Sequence, residues 1–233
     1  MKGKLFLIPS PLGDCEPSEV IPQSTLEIAC SLRVFVVEET RTARRYLSRA
    51  GLKGHIEELE FHELNEHTRP EEVEAFSSLF ESGDVGLISE AGLPAVADPG
   101  ALLVALCHRK GVEVVPLVGP SSLMLALMAS GLNGQSFAFR GYLPAKTDER
   151  RTAIKDVERI SRQLGQSQIM IETPYRNDAF FADLLKTLSG TTRVCVAADI
   201  TLPSQFIRTM TVEQWGRHPL QIGKRPCVFI ILA

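Results

Sequence analysis

The feature that most limits the fold is a repeated order through the first 131 residues: an apolar run, a turn of small residues, then a helical stretch. Residues 83–100 show it best. Val85 to Ile88 is a short apolar run after Gly83 and Asp84, as a buried strand is. Ser89, Ala91, Gly92 and Ala95 then make a loop of small residues broken by Pro94. Asp98 and Pro99 predict a helix start, Asp98 as N-cap and Pro99 at the first helical position. Leu102, Leu103, Leu106 and Cys107 continue at helical spacing. Small side chains let backbone N–H and C=O groups touch a ligand, and the carboxyl ends of strands in open α/β sheets are where ligands bind.

The same order recurs on either side. Leu5 to Ile8 predicts a first strand entering the turn Pro9 to Asp14, and Ser24 or Thr25 can cap a helix through Ile28 to Leu32. Val34 to Val37 predicts a strand ending on Glu38, Glu39, Thr40 and Arg41, followed by a basic helix over 42–50. A further helix is predicted from Pro70 to Ser82 and a strand from Val112 to Leu117. Ser122 to Ser130 is almost wholly apolar, which predicts a helix buried between layers. Alternation without a hairpin predicts a mostly parallel sheet. After Gly131 the pattern shifts. A charged helix from Asp148 to Leu164 and one from Asn177 to Leu188 accompany strands at 168–171, 194–198, 207–212 and 227–232. The expectation is an α/β fold of two domains. Residues 1–118 carry a mostly parallel sheet and residues 119–233 a mixed one, with the boundary near Gly119.

Composition narrows the function classes. A net charge of −3 gives no global attraction to nucleic acid or anionic membrane, so any such binding needs a local basic cluster. Arg41, Arg44, Arg45 and Arg49 form one, readable as a phosphate-binding face or as a solvated helix face. Five cysteines, odd in number and without a C-x-x-C pair, argue against a disulfide framework and a zinc site and fit a reducing cytoplasm. His62 and His67 are five apart, not the i, i+4 spacing of a helical metal site, so no metal is expected. The start at Lys2 has too short an apolar core for a signal peptide, and Leu123 to Leu132 is too short to span a bilayer. No G-x-G-x-x-G follows the first strand, which leaves a Rossmann dinucleotide site unsupported.

Several turns match one known pattern in chain order. Ile8 to Asp14, Glu38-Glu39-Thr40-Arg41, His62 to Glu66, Ile88 to Pro94 with Asp98-Pro99-Gly100, Gly119 to Ser122, Gly141 to Pro144 and Glu172 to Arg176 carry it. Together they resemble the class III methyltransferases of tetrapyrrole methylase fold, and within them the ribosomal RNA small subunit methyltransferase I family. The chain departs from that branch at Ala197 to Pro203, where its glutamate and lysine are absent, and has Glu90 in place of an aspartate.

The resemblance implies a homodimer of two-domain chains, with S-adenosylmethionine folded into the cleft between the domains. It assigns Pro9, Pro11, Leu12 and Gly13, then Ser89, Glu90, Ala91, Gly92 and Pro94, then Pro120, Ser121 and Ser122 to the cofactor. Thr173 and Ala198 would contribute from the second domain. The acceptor it implies is a ribose 2′-hydroxyl of small-subunit ribosomal RNA, with Arg41, Arg44 and Arg45 holding phosphates. A hydroxyl acceptor needs a base for its proton, and Glu38, Glu39, His62 and Glu172 are the candidates. Two other readings stay open: a methyltransferase for a small-molecule or tetrapyrrole acceptor, and a cofactor-binding protein without catalysis.

Overall fold

The computed structural model describes residues 3–233; Lys2, part of the start considered above, lies outside them. The chain groups into two compact units, one running through Ser121 and the other spanning Ser122–Ala233.

The first unit is built on five strands, β1 (Leu5–Ile8), β2 (Val34–Val37), β3 (Glu60–Glu63), β4 (Val85–Ile88) and β5 (Val114–Pro116), in the order β3-β2-β4-β1-β5. Every pairing is parallel, as the sequence predicts. All four residues of β4 are buried, the state of a strand covered on both faces. Its register sets the rest, with Val85 level with Leu5 and Val34, and Ile88 level with Ile8 and Val37. Gly86 is required by that packing. A Cβ there would lie 2.7 Å from Ile8 Cδ1 and 2.8 Å from Phe35 Cδ1. One face of the sheet packs Ile8, Phe35, Val37 and Ile88 against Ala43, Tyr46 and Leu47. The other packs Leu5, Val36, Val85 and Leu87 against Phe80, Leu103 and Leu106.

The second unit has a mixed sheet of β6 (Phe137–Phe139), β7 (Ser167–Ile171), β8 (Arg193–Ala198), β9 (Phe206–Thr211) and β10 (Cys227–Leu232), ordered β6-β7-β10-β8-β9. β6 and β7 run parallel and the remaining pairs antiparallel. Phe180 meets Phe229 edge-on at 4.9 Å, and Trp215 Nε1 donates to Val194 O at 2.9 Å. The helix Thr147–Leu164 brings Arg150 against Asp183 of the helix Asn177–Thr187, both buried. Arg151 reaches the other oxygen of Asp183 at 2.8 Å.

Four expectations need correction. Residues 60–63 form an edge strand absent from the predicted elements, because pairing with β2 supplies hydrogen bonds that a Glu- and His-rich stretch does not advertise. The helix after β4 starts at Gly100 with Pro99 in the cap position. Asp98 Oδ1 instead accepts from Gly100 N at 2.7 Å and Ala95 N at 2.9 Å. The basic helix ends at Leu47 and passes into a wider turn over Ser48–Leu52, where Gly51 sits at φ 135°. The apolar helix Ser122–Ser130 buries Ala126, Leu127 and Ser130 but leaves Met128 77% exposed, so it lies at a surface and not between layers. Among the described residues no helix is long and apolar enough to cross a membrane.

Burial acts to raise the Asp183 carboxyl, but hydrogen bonds from Arg150 and Arg151 outweigh it and hold the group below its ordinary range. The unfolded chain therefore binds this proton more tightly, and the stability it confers is lost as pH falls. Asp183→Asn should leave a buried guanidinium without its counter-charge and cost about 3–5 kcal/mol, read by urea denaturation at neutral pH. A loss under about 1 kcal/mol would show that the pair contributes little.

Candidate active site

Because every strand of the first unit is parallel, the turns after β1, β2 and β4 emerge at one edge of the sheet. The β1 and β4 turns are tied to each other. Ser10 N donates to Gly92 O at 2.8 Å, Gly92 N returns a bond to Ser10 O at 3.0 Å, and Ser10 Oγ donates to Ser89 O at 2.9 Å. Gly92 takes φ 73° for this bridge, and a Cβ on it would lie 3.1 Å from Leu12 Cδ2. Beyond it Ala95 and Ala97 also hold left-handed backbone, φ 65° and 62°, fastened by the Asp98 carboxylate. Non-glycine residues in that region are strained, and such strain collects at ligand clamps.

An open pocket of about 260 Å³ lies beside the bridge. Residues 10–15 of the β1 turn and 88–91 of the β4 turn form two walls, and the helix Thr40–Leu47 forms the third. Thr42, Arg45, Tyr46 and Arg49 face it, spaced i, i+3, i+4 and i+7, one side of a helix. Tyr46 is buried, donates to Pro9 O at 2.9 Å and has its hydroxyl raised by that burial. Arg49 is held by Asp14 at 2.7 Å and Glu16 at 3.0 Å.

Of the arginines expected on phosphate, only Arg45 lines the pocket. Arg44 pairs with Glu57 and lies over the Phe61 ring at 5.9 Å, and the exposed Arg41 is not among the lining residues. Arg49 does line it and belongs with Arg45. Helical spacing could have set Arg44 apart from Arg45, but it leaves Arg41, four residues before Arg45, on the same face, and only the tertiary structure separates those two.

The base candidates also part company. Glu39 caps the helix, accepting from the Thr42 hydroxyl at 2.5 Å, Arg41 N at 2.8 Å and Thr42 N at 2.7 Å, and these bonds, the hydroxyl's first, hold its carboxyl below the usual range. His62 is level with Val36, on the face opposite Tyr46, and binds Glu60 at 2.7 Å. Glu172 lies in the second unit, buried and bonded to Arg176 at 2.6 Å. Glu38 is half-buried at the end of β2, and Glu90 N donates to its Oε2 at 3.2 Å.

Among residues expected to hold the cofactor, Pro11, Leu12, Gly13, Ser89, Glu90 and Ala91 share the pocket wall. Pro9 and Pro120 are buried in the same unit, with Pro120 O 3.5 Å from the Cβ position of Gly92. Pro94 is buried in the strained loop, and Ser121 ends the unit. Ser122, Thr173 and Ala198 belong to the second unit, where Ala198 is wholly buried in β8 and Thr173 N donates to Glu172 at 2.7 Å. The residues of the first unit fit an adenosylsulfonium ligand. Ala91 lines the pocket with nothing beyond Cβ, and Ala95 and Ala97 follow it in left-handed backbone, so small side chains leave the main chain of this loop open to close approach.

Three carboxyls at this edge are raised above their ordinary values. Burial is the main cause for each; Asp98 and Glu66 add to it at Glu38, and Glu38 and Glu39 at Glu90, while Asp98 has burial alone. A raised carboxyl pKa means that the native state holds its proton longer than the unfolded state. Stability is then full in acid and falls as pH rises from about 4.5 through the native value. Glu38→Gln, whose amide oxygen can still accept from Glu90 N, should flatten this fall and be more stable than wild type at pH 8. Denaturation midpoints at pH 5 and pH 8 measure it, and an unchanged pH dependence would rule out Glu38 as the source.

Three comparisons bear on this geometry. A family model described as Tetrapyrrole (Corrin/Porphyrin) Methylases matches residues 22–215. A protein of Escherichia coli O157:H7 named ribosomal RNA small subunit methyltransferase I is 33% identical over 233 residues, covering 99% of this chain and 78% of that protein. One of the same name from Vibrio cholerae is 31% identical, covering 90% and 69%. Among solved structures, a uroporphyrin-III C-methyltransferase from Thermus thermophilus complexed with S-adenosylhomocysteine superposes with TM-score 0.60 at 16% identity, covering 99% of this chain and 97% of that one. A hypothetical protein from Aeropyrum pernix reaches 0.68 at 16% identity, covering 100% and 85%. The bridged turns, the strained loop and the matching family model lead to one conclusion: this chain belongs to the tetrapyrrole methylase family and is an S-adenosylmethionine-dependent methyltransferase.

Proposed function

We propose that the chain methylates a ribose 2′-hydroxyl of small-subunit ribosomal RNA. The observation that carries this reading is the placement of Arg45 and Arg49 in one pocket with the β1 and β4 turns. The chain is acidic overall, so attraction to a polyanion has to be local, and the Arg45 guanidinium, without an ion pair among the described residues, supplies it. The names of the bacterial relatives support RNA as the acceptor class. When bound, S-adenosylmethionine supplies a methyl group already activated by its sulfonium. The protein's task is then orientation, worth up to roughly 7–11 kcal/mol of barrier. Ser89 to Ala91 form one wall for the cofactor, held in place by the Gly92 bridge, and Pro11 to Gly13 close the opposite wall. Arg45, which forms no ion pair among the described residues, grips a phosphate that flanks the acceptor ribose, while Arg49 is held in the same wall by Asp14 and Glu16. The reading includes a cytoplasmic homodimer, supported by five free cysteines and by the exposed Met124 and Met128.

Methyl transfer from labelled cofactor to unmodified small ribosomal subunits tests the proposal. A 2′-O-methyl ribose lacks the hydroxyl that alkaline cleavage needs, so the product should resist alkali at one position. Resistance nowhere, with label on a tetrapyrrole instead, would move the acceptor to a small molecule.

Two variants refine the test. Arg45→Ala should weaken RNA binding on all sequences and flatten log affinity against log salt by roughly 0.7–0.9. Arg44→Ala, already engaged with Glu57, should leave that slope unchanged. An unaltered slope for Arg45→Ala would make the pocket face an ordinary solvated one. Gly92→Val should abolish cofactor binding in calorimetry, since a β-branched side chain is strained at φ 73° and breaks the bridge to Ser10. Normal affinity would remove the β4 loop from the site.

A further inference from the structure

We propose that Glu90 is the catalytic base that takes the proton from the acceptor hydroxyl, in the pocket where Arg45 binds an adjoining phosphate. The inference rests on the ribose reading above and adds to it the residue that performs the proton transfer.

Elimination leads to this residue. Glu39 has both oxygens occupied as a helix cap, with Oε1 on Arg41 N and Oε2 on Thr42 N. His62 is on the other face of the sheet from the pocket. Glu172 is buried and bonded to Arg176. Glu38 holds the Glu90 backbone and does not line the pocket. The pocket itself contains two carboxylates, Asp14 and Glu90. Asp14 is paired with Arg49 at 2.7 Å. Glu90 forms no ion pair among the described residues, is exposed, and follows directly after the strand that carries the cofactor loop.

Its surroundings suit a base. Glu38 and Glu39 approach from the end of β2 and add negative charge, Thr42 on the helix offers a hydrogen bond, and Arg45, Arg49 and Asp14 complete the charged groups of the pocket. Burial first, and then Glu38 and Glu39, raise its carboxyl above the ordinary value, which makes the ionised form more basic. Arg49 is neutralised by Asp14 and Glu16, so it does not cancel that effect.

In the step, the hydroxyl oxygen bonds to the methyl carbon and the carbon–sulfur bond breaks, its electron pair staying on sulfur. The hydroxyl proton passes to the Glu90 carboxylate. The positive sulfonium and the negative carboxylate both end neutral, so the step balances without any further reactant. Release of the proton to water restores the base.

The test compares Glu90→Gln and Glu90→Asp with wild type on unmodified small ribosomal subunits. At saturating cofactor, Glu90→Gln should lower kcat by roughly 10²–10⁴-fold, abolish the acidic limb of the pH profile, and leave RNA KM within about twofold. Glu90→Asp should recover part of kcat and the acidic limb, because a carboxylate remains. Independently of turnover, a carboxyl-carbon NMR titration should show one glutamate resonance, missing in Glu90→Gln, with a midpoint above the ordinary glutamate value. Near-wild-type kcat in Glu90→Gln, or a fall explained by lost RNA or cofactor affinity, overturns the role. A wild-type chain that methylates no RNA overturns the ribose reading itself, and with it this inference; active wild type with unimpaired Glu90→Gln overturns only the second.

Discussion

The reciprocal backbone bonds between Ser10 and Gly92 are the constraint on which the site depends. They act as one extra ladder pair beyond the ends of β1 and β4, although the turns have left the sheet. The pair forms only if β1 and β4 are in register, and that register follows from Val85 to Ile88 packing level with Leu5 to Ile8. It forms only if residue 92 takes a left-handed backbone, which glycine does without a Cβ penalty. Tyr46 then fixes the same turn from the helix side through Pro9 O. Core packing, a turn and a helix thus converge on two adjacent peptide groups.

Charge is arranged around this tie in two layers. Close to the strand ends lie Glu38, Glu90 and Asp98, carboxyls raised chiefly by burial. Each lowers stability at neutral pH, and Asp98 offsets this by holding Ala95 and Gly100 in place. Farther out, the helix Thr40–Leu47 is started by the Glu39 carboxylate and carries its arginines on separate faces. One face leads to Glu57 and Phe61 and the other to the pocket. Arg44, tied to Glu57, and Arg45, facing the pocket, thus lie side by side in sequence on different sides of one helix.

The second unit is held by different means. Its mixed sheet places aromatic residues in the core, and its buried Arg150–Asp183 pair joins two helices. The segment that departs from the resembled family, Ala197 to Pro203, begins in the last two residues of β8 and then enters a strained turn in which Asp199 and Thr201 take φ 52° and 75°. Asp199 N donates to Pro226 O, and Leu202 N to Asp199 O, so the turn is anchored by backbone and does not need the missing side chains.

The sequence by itself determined the alternation of strands and helices, the parallel first sheet, the small-residue turn after β4 and the family. Those follow from local signals: apolar runs, turn residues and motifs in fixed order. β3 escaped because Glu60 to Glu63 is a strand only by pairing with β2, a long-range bond with no local signature. The exposure of Met128 escaped because an apolar helix states its composition and not what covers it. Roles at the site were decided by tertiary structure for the same reason. Glu38, Glu39, His62 and Glu172 are interchangeable as base candidates in a sequence reading, and only their faces, partners and depth make one a backbone acceptor, one a cap, one a histidine on the far side of the sheet and one a buried partner of Arg176.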